Sequence, residues 1–422
     1  MAKFWSGIGG VTAATLIMLG VALAPWAAGD AQQPQPQPKP RPAKPKAGGG
    51  PARPSTPPEA LPPSQIGIGT PARHALLVDT TTDAVLLFKD ADKPMVPSSM
   101  AKMMTVYLVF EDLKAGKLRL DTRFRVSERA RAMGGSRMFV EIGSEVSVED
   151  LIKGVIALSG NDACVVLAEG MAGTEDNFAA RMTRRARELG MTGSTYKNAS
   201  GWPAEGMVVT ARDLAILARR TIEDFPEYYR YYAMVDFTWN NIRQENRNRL
   251  LSMTPGTDGL KTGHTEEGGY GLAASTIRDG RRLILVVNGL ADMRIRAAES
   301  ARLMEWGFRE HANKVAFRPG DTVHEAEVWL GEARKVPLVA RRAVAATVPV
   351  GQEAAVRVSV QYDGPVRAPV RKGDQIGKAI VQTAPGARPV EIPLYAGADV
   401  PRLGPVGRAL GVVRHYVFGW WS

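Results

Sequence analysis

The sequence predicts an α+β protein in which an antiparallel sheet is flanked by helices, followed by a small β-sandwich and a C-terminal amphipathic helix. Three observations lead there. Strand pairs stand at both ends of a block of helical period, at 74–88 and 271–290, so late strands have to complete an early sheet. From about residue 318 to 398 the helical period gives way to short β-branched runs between Gly, Pro and Asp turns. Between Val406 and Trp420 apolar residues return at helical spacing, beside aromatics and cationic charges only.

Composition narrows the class before any motif is read. A chain of 422 residues, 45% hydrophobic and 23% charged, exceeds one average domain and is neither collagen-like, wholly disordered nor a multi-span membrane protein. Its single cysteine, Cys164, excludes a disulfide scaffold and a cysteine-ligated zinc site, and no metal or other cofactor is expected. The net charge of +11 sits mostly at the ends, +4 on residues 1–65 and +3 on 401–422, which leaves +4 for the body. No basic stripe with interleaved aromatics appears there, so nucleic acid is not an expected partner.

Taken in order, residues 1–29 carry Lys3, an apolar run from Ile8 to Ala24 and small residues at 27–29, the layout of a secretory signal peptide. An uncleaved anchor is the alternative, and either way the rest of the chain is exported. Twelve prolines between Pro34 and Pro63 make residues 30–65 an extended spacer with little to bury. Residues 66–312 form the expected catalytic domain. It opens with a hairpin, His74–Asp79 and Ala84–Phe88, then a helix over 100–113 capped by Ser98 and ended at Gly116. Met100, Met103 and Met104 on that helix read as core packing. Residues 145–225 are mainly helical, and a second hairpin turns at Asp279-Gly280. Residues 313–398 form the β-sandwich, with strands at 354–360, 378–383 and 392–395, and residues 399–422 the tail. That tail reads as a helix lying on an anionic membrane surface, or as a segment docked on its own domain.

Three short motifs carry the chemistry: Ser99-Met100-Ala101-Lys102, Ser159-Gly160-Asn161 and Lys261-Thr262-Gly263, in the order that penicillin-binding proteins and serine β-lactamases share. A second Ser-x-x-Lys, Ser194 to Lys197, lies among turn residues without a helix start and reads as chance. Residues three apart share a helix face, so the Lys102 amine reaches the Ser99 hydroxyl, a nucleophile beside its base. Burial, with Lys261 as a second cation, is expected to lower the Lys102 pKa into working range. The Ser99 amide at a helix start can serve an oxyanion. Ser159 can relay a proton and Asn161 can hold a substrate amide, both delivered by a short loop after an apolar helix. Lys261 and Thr262 on a strand edge suit a terminal carboxylate, which implies a substrate with a free C-terminus. Cys164 reads as a small buried helix residue.

Beyond the motifs, Ser-Gly-Asn-Asp-Ala at 159–163, Lys-Thr-Gly-His-Thr at 261–265, Asn198-Ala-Ser-Gly201, Gly135-Ser136 and Arg296-Ala-Ala-Glu-Ser300, ending near Trp306-Gly-Phe308, resemble the D-alanyl-D-alanine carboxypeptidases, the low-molecular-weight penicillin-binding proteins. The resemblance implies a penicillin-binding, serine β-lactamase-like catalytic fold and an acyl-enzyme on Ser99 formed from peptidoglycan stem pentapeptides. It implies Lys102 as base, Ser159 as proton shuttle and Asn161 on the substrate backbone. Lys261 and Thr262 would recognise the carboxylate, with Gly263 and His264 as further substrate-binding residues. The His264 amide would be the second oxyanion donor, and Arg296 would support carboxylate recognition unless it is a surface helix arginine. It also implies covalent inhibition by β-lactams and a place in the periplasm or on the outer face of the cytoplasmic membrane, peripherally anchored. A D,D-endopeptidase of cross-bridges shares the whole site, and a non-catalytic β-lactam sensor or envelope scaffold is a third reading. A class A β-lactamase is disfavoured, because no Glu followed two residues on by Leu-Asn occurs in 162–260. Ser98 stands where the family often has alanine.

Overall fold

A computed structural model describes residues 65–383, 389–407 and 409. The expected signal peptide, nearly all of the Pro-rich spacer and most of the tail lie outside the described residues. The early and late hairpins do meet in one sheet. Strands β1 (Gln65–Ile66), β2 (His74–Asp79) and β3 (Val85–Lys89) join β4 (Thr257–Thr265), β5 (Gly269–Arg278) and β6 (Arg281–Leu290) in the order β1-β3-β2-β6-β5-β4. Neighbouring strands are antiparallel throughout. At the β5–β6 turn Asp279 and Gly280 both take positive φ, +48° and +77°, the two-residue geometry that matches strand twist. The β4 strand ends up on an edge, and it carries Lys261, Thr262 and Gly263.

Helices cover both faces. Helix α1 (Lys102–Lys114) packs against helices α2 (Val148–Ile156), α3 (Asn161–Ala172), α4 (Glu175–Glu188) and α5 (Ala211–Asp224), and α5 itself lies on β2, β5 and β6. Nearly every α1 side chain is buried, Met103 and Met104 fully, as expected of a helix that is apolar all round. On the opposite face α6 (Met293–Arg309) packs Leu303 and Met304 against Leu77, Leu283 and Leu285.

Two local expectations are corrected. Ser98 does not cap α1: its φ is +45°, its hydroxyl donates to the Pro97 carbonyl at 2.7 Å, and residues 98–101 form a tight 3-10 turn feeding into the helix. The turn is closed by the Met100 amide on the Pro97 carbonyl at 3.1 Å, so the backbone itself does the capping. The block 145–225 is also interrupted, since residues 189–210 are largely loop. Antiparallel ribbons at 123–125 with 145–147, and at 236–239 with 242–245, escaped the periodicity reading.

The C-terminal strands form an uneven pair of sheets. Strands β7 (His311–Phe317) and β10 (Val344–Pro349) make a two-stranded ribbon. The others are β8 (Thr322–Trp329), β9 (Lys335–Ala340), β11 (Arg357–Tyr362), β12 (Val366–Arg367), β13 (Gln375–Gln382) and β14 (Val390–Ala396). They make a six-stranded sheet ordered β11-β13-β14-β9-β8-β12. Val344 and Ala346 of the ribbon share a core with Leu338, Val381, Ile392 and Leu394 of the sheet. No helix among the described residues is long and apolar enough to cross a membrane.

Candidate active site

Two chain segments converge on the 98–101 turn, and their closeness explains two glycines. A β-carbon on Gly263 of β4 would lie 2.2 Å from Ser98 Oγ. One on Gly201, whose φ is +78°, would lie 1.8 Å from the Ser98 carbonyl oxygen. Only glycine lets both backbones press this close, and the turn is wedged between them.

The wedge sets the Ser99 side chain at the mouth of the α1 helix, with Lys102 one turn on. Lys102 is completely buried, and its Nζ lies 2.8 Å from Ser99 Oγ, 2.7 Å from Asn161 Oδ1 and 2.5 Å from the Ser200 carbonyl oxygen. Burial lowers its pKa from 10.5 to about 8, against the opposing pull of the Asp162 carboxylate. The cation–cation repulsion expected between Lys102 and Lys261 is present: burial first and Lys102 second hold Lys261 well below the ordinary lysine range. The Cys164 thiol, buried beside them, is pushed up to about 12 and stays an inert packing group.

The second motif comes from the loop after α2. Ser159 sits in the left-handed region at φ +61°, 4% exposed, and its hydroxyl has no hydrogen-bond partner among the described residues. A non-glycine residue held there is strained, which fits a side chain turned toward a cleft. Asn161 opens α3 and is used at both ends: Oδ1 accepts from Lys102, and Nδ2 donates to the Gly134 carbonyl at 2.8 Å. That second bond fixes which end of the amide faces the lysine. Next to it the buried Asp162 accepts the amides of Met138, Phe139 and Val140 at 2.8, 2.7 and 3.2 Å and pins the loop that forms the cleft's near wall.

Ser99, Ser159, Asn161, Thr262, Gly263, His264 and Arg296 line one cleft of about 680 Å³, with Lys102 and Lys261 buried beneath it. Arg296 is therefore no surface arginine: it is 5% exposed, its pKa is lowered to about 10 by burial, and its one hydrogen bond among the described residues is a 3.4 Å contact to the Arg247 carbonyl. Lys261 is 2% exposed, and among the described residues its Nζ has only the Thr262 carbonyl at 3.3 Å. Two buried cations with nearly empty hydrogen-bonding capacity call for an anion. The His264 ring is exposed and stacks on Tyr270 at 3.9 Å between centroids. The stray Ser194 donates to Asp213 at 2.7 Å in a loop, and Lys197 points to solvent.

Motif reading missed Arg247, Tyr270, Trp202 and the Ser200 carbonyl, all at this cleft. Arg247 stands between Asn246 and Asn248 after an unforeseen ribbon, and a backbone carbonyl leaves no side-chain signature at all.

Similarity to known proteins runs along most of the chain. Residues 62–291 match the family described as D-alanyl-D-alanine carboxypeptidase, and residues 313–402 match the C-terminal domain of penicillin-binding protein 5. The chain is 39% identical to the D-alanyl-D-alanine carboxypeptidase DacC of Escherichia coli (strain K12), over 83% of this chain and 90% of the relative. Among solved structures, penicillin binding protein 5 from Haemophilus influenzae superposes with a TM-score of 0.75 at 34% identity, covering 80% of this chain and 100% of that one. Penicillin binding protein 6B from Escherichia coli gives a TM-score of 0.63 at 29% identity, over 80% and 97% of the two chains.

Proposed function

Since the chain belongs to the D-alanyl-D-alanine carboxypeptidase family, we propose that Ser99 is the nucleophile and Lys102 the base of its acyl-transfer reaction. The protein is a serine-type D-Ala-D-Ala carboxypeptidase acting on peptidoglycan stem peptides, and it binds β-lactams.

The observation that carries the assignment is the set of three partners around Lys102 Nζ. A neutral amine has two N–H bonds and one lone pair. Asn161 Oδ1 and the Ser200 carbonyl can only accept, so they engage both N–H bonds. The lone pair is left facing Ser99 Oγ, the one partner able to donate. Substrate then meets an oriented base. The Ser99 proton passes to Nζ while Oγ bonds to the carbonyl carbon between the last two D-alanines, and the displaced charge settles on that carbonyl oxygen beside the amides of Ser99 and His264. The proton moves on through Ser159 to the departing nitrogen as the C–N bond breaks and D-alanine leaves. Water adds to the ester, gives its proton back along the same route and frees Ser99. Lys261 and Thr262, on the strand that Gly263 keeps close to the nucleophile, and Arg296, on α6, bind the terminal carboxylate. Asn161 serves the substrate backbone with its remaining N–H.

Incubating the purified protein with stem pentapeptide and with cross-linked muropeptide tests the reading. Free D-alanine from the pentapeptide, with dimer left intact, is expected. Cleaved dimer would instead establish a D,D-endopeptidase, the alternative that shares the whole site, and no turnover of either would leave a β-lactam sensor.

The same reading divides the chain into an export signal (1–29), a Pro-rich spacer (30–65), a catalytic domain (66–312), a β-sandwich domain (313–398) and a membrane-associating tail (399–422), with the protein held at the outer face of the cytoplasmic membrane. The charge of +3 on residues 401–422 and their aromatic residues support the last step. Deleting 401–422 is expected to move the protein from the membrane fraction to the soluble one with carboxypeptidase activity retained; a membrane-bound truncation would assign the anchor elsewhere.

A further inference from the structure

We infer that Glu175 is a positioning residue for the reaction, holding the Ser200 carbonyl where it engages one N–H of the Lys102 base. The inference rests on Lys102 being that base. The Ser200 carbonyl belongs to the loop 198–202, and a loop carbonyl aims an amine only if something fixes its peptide. Here three contacts do. Glu175, in the first turn of α4 and 5% exposed, accepts the Ala199 amide on Oε1 at 3.0 Å. Thr105 of α1 donates to the Ala199 carbonyl at 2.6 Å. Asn198 Oδ1 accepts the amides of Ser200, Gly201 and Trp202 at 3.2, 2.8 and 3.1 Å, folding the loop over itself. The Ala199 residue is thus gripped on both its polar groups from two helices, and the next carbonyl along is the one that meets Lys102.

A buried carboxylate needs its own support, and Arg129 of the short helix Glu128–Ala132 supplies it at 2.5 Å on Oε2, the oxygen that the loop does not use. Asp176 and Glu169 also bear on Arg129. The charged and titratable groups bearing on Lys102 itself are Asp162 and Cys164 from α3 and Lys261 from β4. Glu175 meets the lysine through the peptide it holds, with its own charge paired to Arg129.

Without the Ala199 grip the Ser200 carbonyl drifts and the amine loses an acceptor that also favours its charged form. The rate of acylation by a fluorescent penicillin, followed from about pH 6 to 10, reads both effects. Glu175→Ala is expected to lower the plateau rate about tenfold to a hundredfold and to move the midpoint of the Lys102 limb to lower pH. Glu175→Gln, made together with Arg129→Ala so that no second donor competes for the single amide oxygen, keeps an acceptor for the Ala199 amide and should hold plateau and midpoint close to those of the wild type. An unchanged plateau and midpoint in folded Glu175→Ala, a lower melting temperature alone, or equal loss in Ala and Gln would overturn the inference. If Glu175→Ala does not fold, Thr105→Val removes the other grip, and the same lower plateau and lower midpoint are expected; their absence is equally decisive. A wild-type profile without any Lys102 limb would instead remove the base assignment itself, a distinguishable failure.

Discussion

Ser99→Ala abolishes both covalent labelling by a fluorescent penicillin and release of D-alanine from stem pentapeptide, with a fall of roughly 10^4-fold or more in turnover. The magnitude follows from what the hydroxyl does. It forms the bond that divides hydrolysis into two easier steps, and no neighbouring group can replace it. Ser159, the other motif hydroxyl, is held on a separate loop at φ +61°, and Lys102 does not bond to it. Cys164, the one thiol, is fully buried with its pKa pushed up to about 12, so it supplies no thiolate. Half-buried Ser99 contributes little to packing, and the variant should fold and still bind substrate non-covalently through Lys261 and Arg296. Persistent labelling of folded Ser99→Ala would place the nucleophile elsewhere.

What the sequence made legible is what depends on local chemistry. The Asp279-Gly280 turn is readable because both residues tolerate positive φ, and that fixes the β5–β6 hairpin. The motif serines and lysines are readable because residues three apart on a helix face each other. The ribbon at 236–245 was readable in principle: Asn240 and Asn241 take φ of +47° and +61°, an Asn-Asn hairpin turn hidden by its polar, weakly alternating flanks. Ser98 looked like a cap because serine often is one, yet the squeeze from Gly201 and Gly263 turned its backbone left-handed, a tertiary effect that no local rule contains. Lys261 and Arg296 show the same limit for electrostatics. Their types were readable, but burial decides their pKa values, and burial is a property of the assembled sheet and helices. The Ser200 carbonyl and its Glu175 support lie furthest from sequence reading, since they act through backbone atoms.

Lys102→Arg keeps a cation at the centre of the site and removes the base, so it separates the two roles that a lysine could play. Acylation by penicillin is expected to fall by roughly 10^2- to 10^4-fold, and the residual rate should no longer vary with pH, because guanidinium does not deprotonate in the accessible range. For the native enzyme the sign is set by the lowered pKa. The reactive form is the neutral amine, so acylation rises with pH and is half-maximal near the Lys102 value of about 8. At pH 7 about a tenth of the enzyme is in that form, a cost of about 1.4 kcal/mol in rate compared with full deprotonation. A lysine at its ordinary value of 10.5 would leave the enzyme about 300-fold poorer in base at the same pH than one at about 8. Burial thus brings the base into range, while Asn161 and the Ser200 carbonyl, which stabilise the ammonium, keep its pKa from falling further and aim the lone pair. A Lys102→Arg enzyme with native acylation and a native pH limb would show that the site needs only the charge, and that the base lies elsewhere.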